Sequence, residues 1–431
     1  MLPPIFFLAI FLLSLIGCDF TLWTRENMLR LFNTLGKKLE AFEAANRRVV
    51  HIFTCGPSVY QRSHIGNFRT FLFEDVLIRY LEYSGFSIKR GMNFTDIEDK
   101  AFEEAKKRKR GVKDLTEENI KKFFQEMKLL KMRIPDYLPR ASETIDEAVE
   151  IIEHLLSRKI AYWYRGNVYF DPLKYSRFGE LYGLDMTRWP REKKRFHKDT
   201  YPGMRWNWGD FILWHGYKRG APYWDTPIGR GRPSWNIQDP SMILKHYHET
   251  LSIYCGGIDN LVRHHDYTRA ILDSVRPYPM AKYWLHCRHL IVKGQKMSKS
   301  KGNIYYVEDL LKDGYTADEI RFFLIDCHYQ KELNYTKEKM RSAAEKLRNL
   351  KKKTSAIGRK ANQTSEVDRE ILKKLKEAFR RKMDEDLNVE RAFDNLYEFI
   401  GEIKLETLNP KTASGLTKGL KEVDEVLKVL F

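Results

Sequence analysis

Apolar positions along the chain change period several times, and each change predicts an element. Residues 49–53 are apolar and β-branched with one histidine, the pattern of a buried strand. Apolar residues then recur at helical spacing over 71–83, and 86–90 reads as a second strand. Strand, glycine-containing turn, helix and strand make a β-α-β unit of a parallel, doubly wound sheet. Residues 29–42, basic and mixed, predict a strand and turn leading into it. Residues 100–159 are helical and highly charged, with Ile145, Val149, Ile152 and Leu156 on one face. Residues 160–235 are aromatic and turn-rich, as in a small β-containing insertion. The core resumes over 235–271, and 283–292 is strand-like. From 309 to 431, Leu, Ile and Phe spaced by three and four predict a helical bundle, with a basic joint at 351–366. The expected class is α/β: a parallel-sheet domain over 28–310, an insertion at about 100–215, and a helical bundle over 311–431. Residues 1–27 stand apart as an apolar leader.

Composition narrows the class. The chain has 431 residues, room for two or three domains with a sizeable core. Its formal net charge is +18, which favours a polyanionic partner or phosphate substrates. Five scattered cysteines argue against a disulfide framework and for a reducing compartment. The run Lys106–Arg110 reads as a solvated helix end or as an RNA-backbone contact.

The candidate chemistry lies in two motifs far apart in sequence. The stretch Thr54–Arg69 follows the first strand, and its His64, Ile65, Gly66 and Asn67 (HIGN) open the helix. Free N–H groups and the dipole make such a turn an anion site. Downstream, residues 296–300 (KMSKS) place Lys296 and Lys299 three apart on a short polar loop. Mobile lysine charges suit a triphosphate and stabilise the negative charge that develops as phosphate transfers. A Gly256-Gly257-Ile258-Asp259 turn stands between the two motifs. Together they predict a nucleotide site.

These motifs resemble the HIGH and KMSKS signatures of class I aminoacyl-tRNA synthetases. More narrowly, 31–35, 54–60, 93–100, 167–171, 229–235, 293–300, 324–329 and 383–388 are similar to cysteinyl-tRNA synthetases, and the similarity runs from about Met28 to Glu406. The resemblance implies a Rossmann-type catalytic domain, ATP with Mg2+ as cosubstrate, an aminoacyl-adenylate, and transfer to the acceptor end of tRNA by a cytoplasmic monomer. It assigns ATP phosphates to His64, Gly66 and Asn67, the last standing where the family usually has a second histidine. Adenosine falls to Gly256, Gly257 and Asp259, and pyrophosphate to Lys296 and Lys299. The amino-acid pocket falls to Gly56, Thr95 and Trp235.

The family also binds zinc, which reads the substrate thiol. Its four ligand positions correspond here to Cys55, Asp239, His264 and Thr268. Aspartate can ligate zinc through oxygen, whereas threonine is a poor ligand. Either three ligands plus water, or a neighbour such as His265 or Asp266, make the site, or the metal is gone and thiol selection with it. The family's small anticodon-reading module is expected to be missing or vestigial, with a short tail after Glu406. Two other readings follow from these departures: a ligase joining an amino acid to a small-molecule amine, and a non-catalytic nucleotide- or RNA-binding relative.

The leader admits two readings. Residues 5–18 have the length of a signal h-region but no preceding Lys or Arg, and the run is short for a membrane span. An exported ATP-using enzyme would lack its substrate, and the family's N-terminus aligns at Met28. A misassigned start is therefore expected over an export or anchor segment.

Overall fold

The computed structural model describes residues 28–46, 48–184, 210–298, 301–361 and 366–431. The leader and Lys299 lie outside them. Among the described residues the strands are β1 (Arg30–Asn33), β2 (Lys38–Ala41), β3 (Val50–Thr54), β4 (Ile88–Met92), β5 (Ala161–Tyr164), β6 (Asn167–Phe170), β7 (Phe211–Gly216), β8 (Gly231–Pro233), β9 (Leu251–Gly257), β10 (Ala281–Cys287), β11 (Leu290–Val292), β12 (Gln295–Lys296) and β13 (Leu333–Tyr335). The α-helices are α1 (Ile65–Tyr83), α2 (Asp99–Lys107), α3 (Val112–Leu129), α4 (Ile145–Ser157), α5 (Trp235–His246), α6 (Asp266–Val275), α7 (Val307–Lys312), α8 (Ala317–Ile325), α9 (Lys337–Lys360), α10 (Arg369–Met383), α11 (Val389–Gly401) and α12 (Pro410–Leu427).

The central sheet has the order β10-β9-β3-β4, and every pairing in it is parallel. From β3 the chain crosses through α1 to β4 on one side, and β9 is later laid on the other. The order therefore reverses between β3 and β9, and ligands of such sheets bind outside the strand ends at that switch point. The Cys55 amide donates to the Cys255 carbonyl (3.0 Å), holding the two strand ends together there.

A four-stranded antiparallel sheet, β5-β6-β7-β8, forms from residues 161–233. One hydrophobic cluster joins its inner residues, such as Phe170, Phe211 and Trp214, to Ile237 of α5 and Ile271 of α6. A second runs from α1 through α8 into the bundle, including Leu72, Phe323, Leu347 and Phe393.

Several expectations change in detail. Residues 29–42 form a complete hairpin, β1 against β2, rather than one strand and a turn. The strand expected at 86–90 is Ile88–Met92. The run 283–292 is two strands in two sheets, β10 in the central sheet and β11 beside β12 and β13. The three-residue β13 interrupts the otherwise helical C-terminal region and pairs in parallel with β11. The tail expected after Glu406 is a helix, α12, with Ala413, Leu416, Leu420 and Val423 fully buried. Arg321, itself fully buried, fastens it by donating to the carbonyls of Leu427 and Leu130 and to Asp75 of α1, each at 2.7 Å.

Candidate active site

α1 begins in the crevice at the switch point. His64 is its N-cap: Nδ1 accepts from the Asn67 amide (3.3 Å), while Asn67 Oδ1 accepts from the His64 amide (3.0 Å). This reciprocal capping box gives position 67 a structural task that asparagine performs well. Because Nδ1 accepts, the ring proton sits on Nε2. Burial lowers the His64 pKa to about 4, so at neutral pH the ring is an uncharged donor.

The HIGN and KMSKS segments meet. The Ile65 amide, otherwise without an intrahelical partner, donates to the Tyr305 carbonyl just past the KMSKS loop (2.9 Å). A Cβ built on Gly66 would lie 2.4 Å from Met297 Cε. Lys296 is exposed at the end of β12. Asn303 staples the loop, accepting from the Ser298 amide (2.8 Å) and donating to the Lys296 carbonyl (3.3 Å).

One cleft of about 250 Å³ collects most of the residues singled out in the sequence. Cys55, Gly56, Thr95, Trp235 and His264 line it, as do Asn67, Gly257 and Asp259. Gly56 is required by close approach, since a Cβ there would fall 2.0 Å from the Asn93 carbonyl oxygen. Asn93 in turn accepts from the Gly56 amide (2.6 Å) and donates to Thr95 Oγ1 (3.3 Å). Trp235 opens α5 and stacks on His264, ring centroids 4.0 Å apart. Asp259 stands exposed on the short 3-10 turn after β9, and Gly256 is packed against Cys55 and His265.

Behind the cleft wall lies a buried cluster. Asp239, one turn along α5 from Trp235, accepts through Oδ2 from Tyr254 OH (2.6 Å) and Cys55 Sγ (3.4 Å) and lies 2.9 Å from His264 Nε2. Cys55 Sγ is also 2.9 Å from His265 Nε2. His265 Nδ1 meets His286 Nε2 (2.8 Å), and His286 Nδ1 meets Thr34 Oγ1 (2.8 Å). His264 and His265 occupy a single π-helical turn, Leu261–His265, which lets two adjacent side chains reach one place. Burial, reinforced by the charge of Asp239, pushes the Cys55 thiol well up. Burial works to raise Asp239 too, but the adjoining His264 imidazole and the hydrogen bonds from His264, Tyr254 and Cys55 outweigh it, and the carboxyl is held low. Burial first, then the neighbouring histidines, keeps His265 neutral, and burial lowers His286 to about 3.

The ligand atoms of Cys55, His264 and His265 all lie within 4.8 Å of one another, and all three residues are buried. Asp239 Oδ1 and His264 Nδ1 are buried without a partner. Sulfur, imidazole nitrogen and an adjacent carboxylate suit a borderline-soft dication such as zinc. Thr268 is placed differently: its Oγ1 donates to the His264 carbonyl (2.8 Å) within its own helix. Sequence reasoning missed Tyr254, His286 and Thr34. They reach the cluster from β9, β10 and the hairpin turn, and no local pattern marks them.

Residues 41–345 match the family described as tRNA synthetases class I (C) catalytic domain. Over 413 residues the chain is 36% identical to the cysteine–tRNA ligase of Chlamydia pneumoniae, covering 93% of this chain and 86% of that one. The chain belongs to the cysteine–tRNA ligase family. The enzyme of Brachyspira hyodysenteriae is 34% identical over 407 residues, covering 92% and 85%. Among solved structures, Mycobacterium tuberculosis methionyl-tRNA synthetase in complex with methionyl-adenylate superposes with a TM-score of 0.61 at 13% identity, covering 88% of this chain and 90% of that one. That likeness is one of fold alone.

Proposed function

We propose that the protein activates cysteine with ATP and Mg2+ and transfers the cysteinyl group to the acceptor end of tRNA. The observation that carries this is the meeting of the HIGN helix start and the KMSKS loop, with a cleft lined by Asn67, Cys55 and His264. The amino-acid carboxylate attacks the α-phosphorus, a P–O bond breaks, and pyrophosphate leaves; a tRNA hydroxyl then displaces AMP from the acyl carbon. The N-terminus of α1, with His64 Nε2–H and Asn67, donates to phosphate oxygens. Lys296 and Lys299 neutralise the leaving pyrophosphate, and their effect is largest where charge accumulates. Gly256, Gly257 and Asp259 hold the adenosine, while Gly56, Thr95 and Trp235 shape the amino-acid pocket.

A zinc ion fits the Cys55, His264, His265 and Asp239 cluster; when bound it would supply a soft-leaning centre that prefers a thiolate to a hydroxyl. Residues 28–310 form the catalytic unit, with an insertion at about 100–215, and 311–431 form the bundle that contacts tRNA. The net charge of +18 favours that polyanion over a small amine as acceptor. The chain is read as a monomer. No helix among the described residues is long and apolar enough to cross a membrane, and the substrates are those of the cytoplasm. ATP–pyrophosphate exchange with each standard amino acid, followed by charging of total tRNA, tests the reading. Exchange with cysteine and labelled tRNA are expected; silence across the set from folded protein would overturn it.

A further inference from the structure

The family's four ligand positions map to Cys55, Asp239, His264 and Thr268, but the atoms converge differently. We propose that this chain holds its metal with three protein ligands, Cys55 Sγ, His264 Nδ1 and His265 Nε2. Asp239 is then an outer carboxylate that orients His264, and the fourth position is left for the substrate's sulfur. The proposal rests on the cysteine-activating reading above.

Each ring is held by one nitrogen and open at the other. Asp239 Oδ2 holds His264 through Nε2 (2.9 Å), and His264 Nδ1 is the buried atom without a partner. A histidine with one nitrogen on a carboxylate and the other free has the arrangement of a metal-bound imidazole, where the outer partner fixes tautomer and orientation. His265 is held through Nδ1 by His286, which is held by Thr34, and its Nε2 faces Cys55 Sγ at 2.9 Å. Donation from His265 to His286 and on to Thr34 leaves that Nε2 with its lone pair. Asp239 Oδ2 is already taken up by Tyr254, Cys55 and His264, and Cys55, His264 and His265 are the residues whose ligand atoms all lie within 4.8 Å of one another. Thr268 is occupied within its own helix. The π-helical turn is what makes His265 available in its place.

Binding the dication converts the Cys55 thiol to thiolate and releases one proton to solvent. Two neutral imidazoles and one thiolate leave the ion with a positive charge and an open position, as in zinc sites that bind substrate. The sulfur of cysteine fills that position and brings the second thiolate, losing its own proton to solvent. By reciprocity, cysteine must then tighten the metal as much as the metal tightens cysteine.

The test uses the full-length protein, stripped by chelator and titrated with Co2+ and Zn2+, with and without cysteine or serine. Thermal melting and ATP binding report folding. Wild type is expected to take one ion per chain, to show a single-thiolate charge-transfer band with Co2+, and to gain a second such contribution and tighter binding with cysteine but not serine. His265→Gln and Cys55→Ser should weaken binding by more than about 100-fold, Asp239→Asn by about 10 to 100-fold, as expected for an outer partner, and Thr268→Val not at all. Full affinity in His265→Gln, or loss in Asp239→Asn equal to that in Cys55→Ser, would overturn the ligand set. Absence of stoichiometric metal in wild type would overturn it as well. If cysteine-dependent pyrophosphate exchange persists without metal, the metal proposal falls and the functional reading stands. If metal binds as described but no amino acid supports exchange, the functional reading falls instead.

Discussion

The methyl group of Met297 sits where a side chain on Gly66 would begin, 2.4 Å from the position of that Cβ. The loop that carries Lys296 is thereby seated on the helix that carries His64. Position 66 lies in the first turn of α1, where alanine is a better helix former than glycine by roughly 1 kcal/mol. Gly66→Ala should therefore leave the melting temperature unchanged or raised. It should nevertheless slow pyrophosphate exchange by about 2- to 5-fold, because the Met297 methyl at the flexible end of its side chain must turn aside and the loop is seated less firmly. Adding Met297→Ala, which removes the colliding methyl, should restore part of the loss. A slow single variant that the second substitution does not improve would refute the contact as the cause.

Asn67 offers a cleaner separation of structure from chemistry. Asn67→Asp keeps an acceptor for the His64 amide and places a carboxylate at a helix N-terminus, so stability should hold or improve. The same carboxylate faces the proposed phosphates, and KM for ATP should rise by about 10-fold or more. An unchanged KM would move the phosphates away from this helix end.

Lys296 is exposed, and removing its ammonium should cost little stability. Lys296→Ala is expected to lower kcat of exchange by about 100 to 1,000-fold, the scale of losing one group aimed at developing charge. Circular dichroism should be that of the wild type. Exchange at the original rate would contradict the role.

Acid should destabilise the protein through its buried neutral histidines. The His64 pKa of about 4 lies below its ordinary value of 6.5. Between those values the unfolded chain binds the proton and the native one does not, so stability rises with pH across the window and is lost as pH falls. From pH 7 to pH 5 the loss from His64 is about 2 kcal/mol. The unfolding free energy from denaturant titrations should fall by about 2 kcal/mol more in wild type than in His64→Asn between the two pH values; equal falls would place the ring in water.

Arg321 should matter most for stability. It joins Asp75 to two main-chain carbonyls with no exposed surface. Arg321→Ala strands those acceptors and should destabilise by about 3 kcal/mol or more in chemical denaturation. A loss below 1 kcal/mol would mean that water replaces the guanidinium freely.

The sequence revealed the parallel sheet and the nucleotide end of the cleft because both are local: buried β-branched runs end in glycine turns, and two motifs carry their own chemistry. The C-terminal helix was passed over as a short tail, although Asn409 followed by Pro410 is an N-cap and first-turn pair; Asn409 accepts from the Thr412 amide. The three-residue β13 was not, since three residues have no period. At position 67 the sequence showed only a missing histidine, while the structure shows the capping partner that replaces it. The network around Cys55 is the least legible part. Thr34 and His286 stand 252 positions apart, and each is unremarkable in its own segment.

A π turn contains one residue more than the α turn it interrupts. Deleting any one of Leu261, Val262 or Arg263 would let the segment wind as ordinary helix into α6, shifting the two histidines by about 100° relative to the strands. The paired presentation of His264 and His265 thus depends on a single residue of that turn. One residue of register there decides whether the buried Cys55 meets one histidine or two, with every strand left where it is.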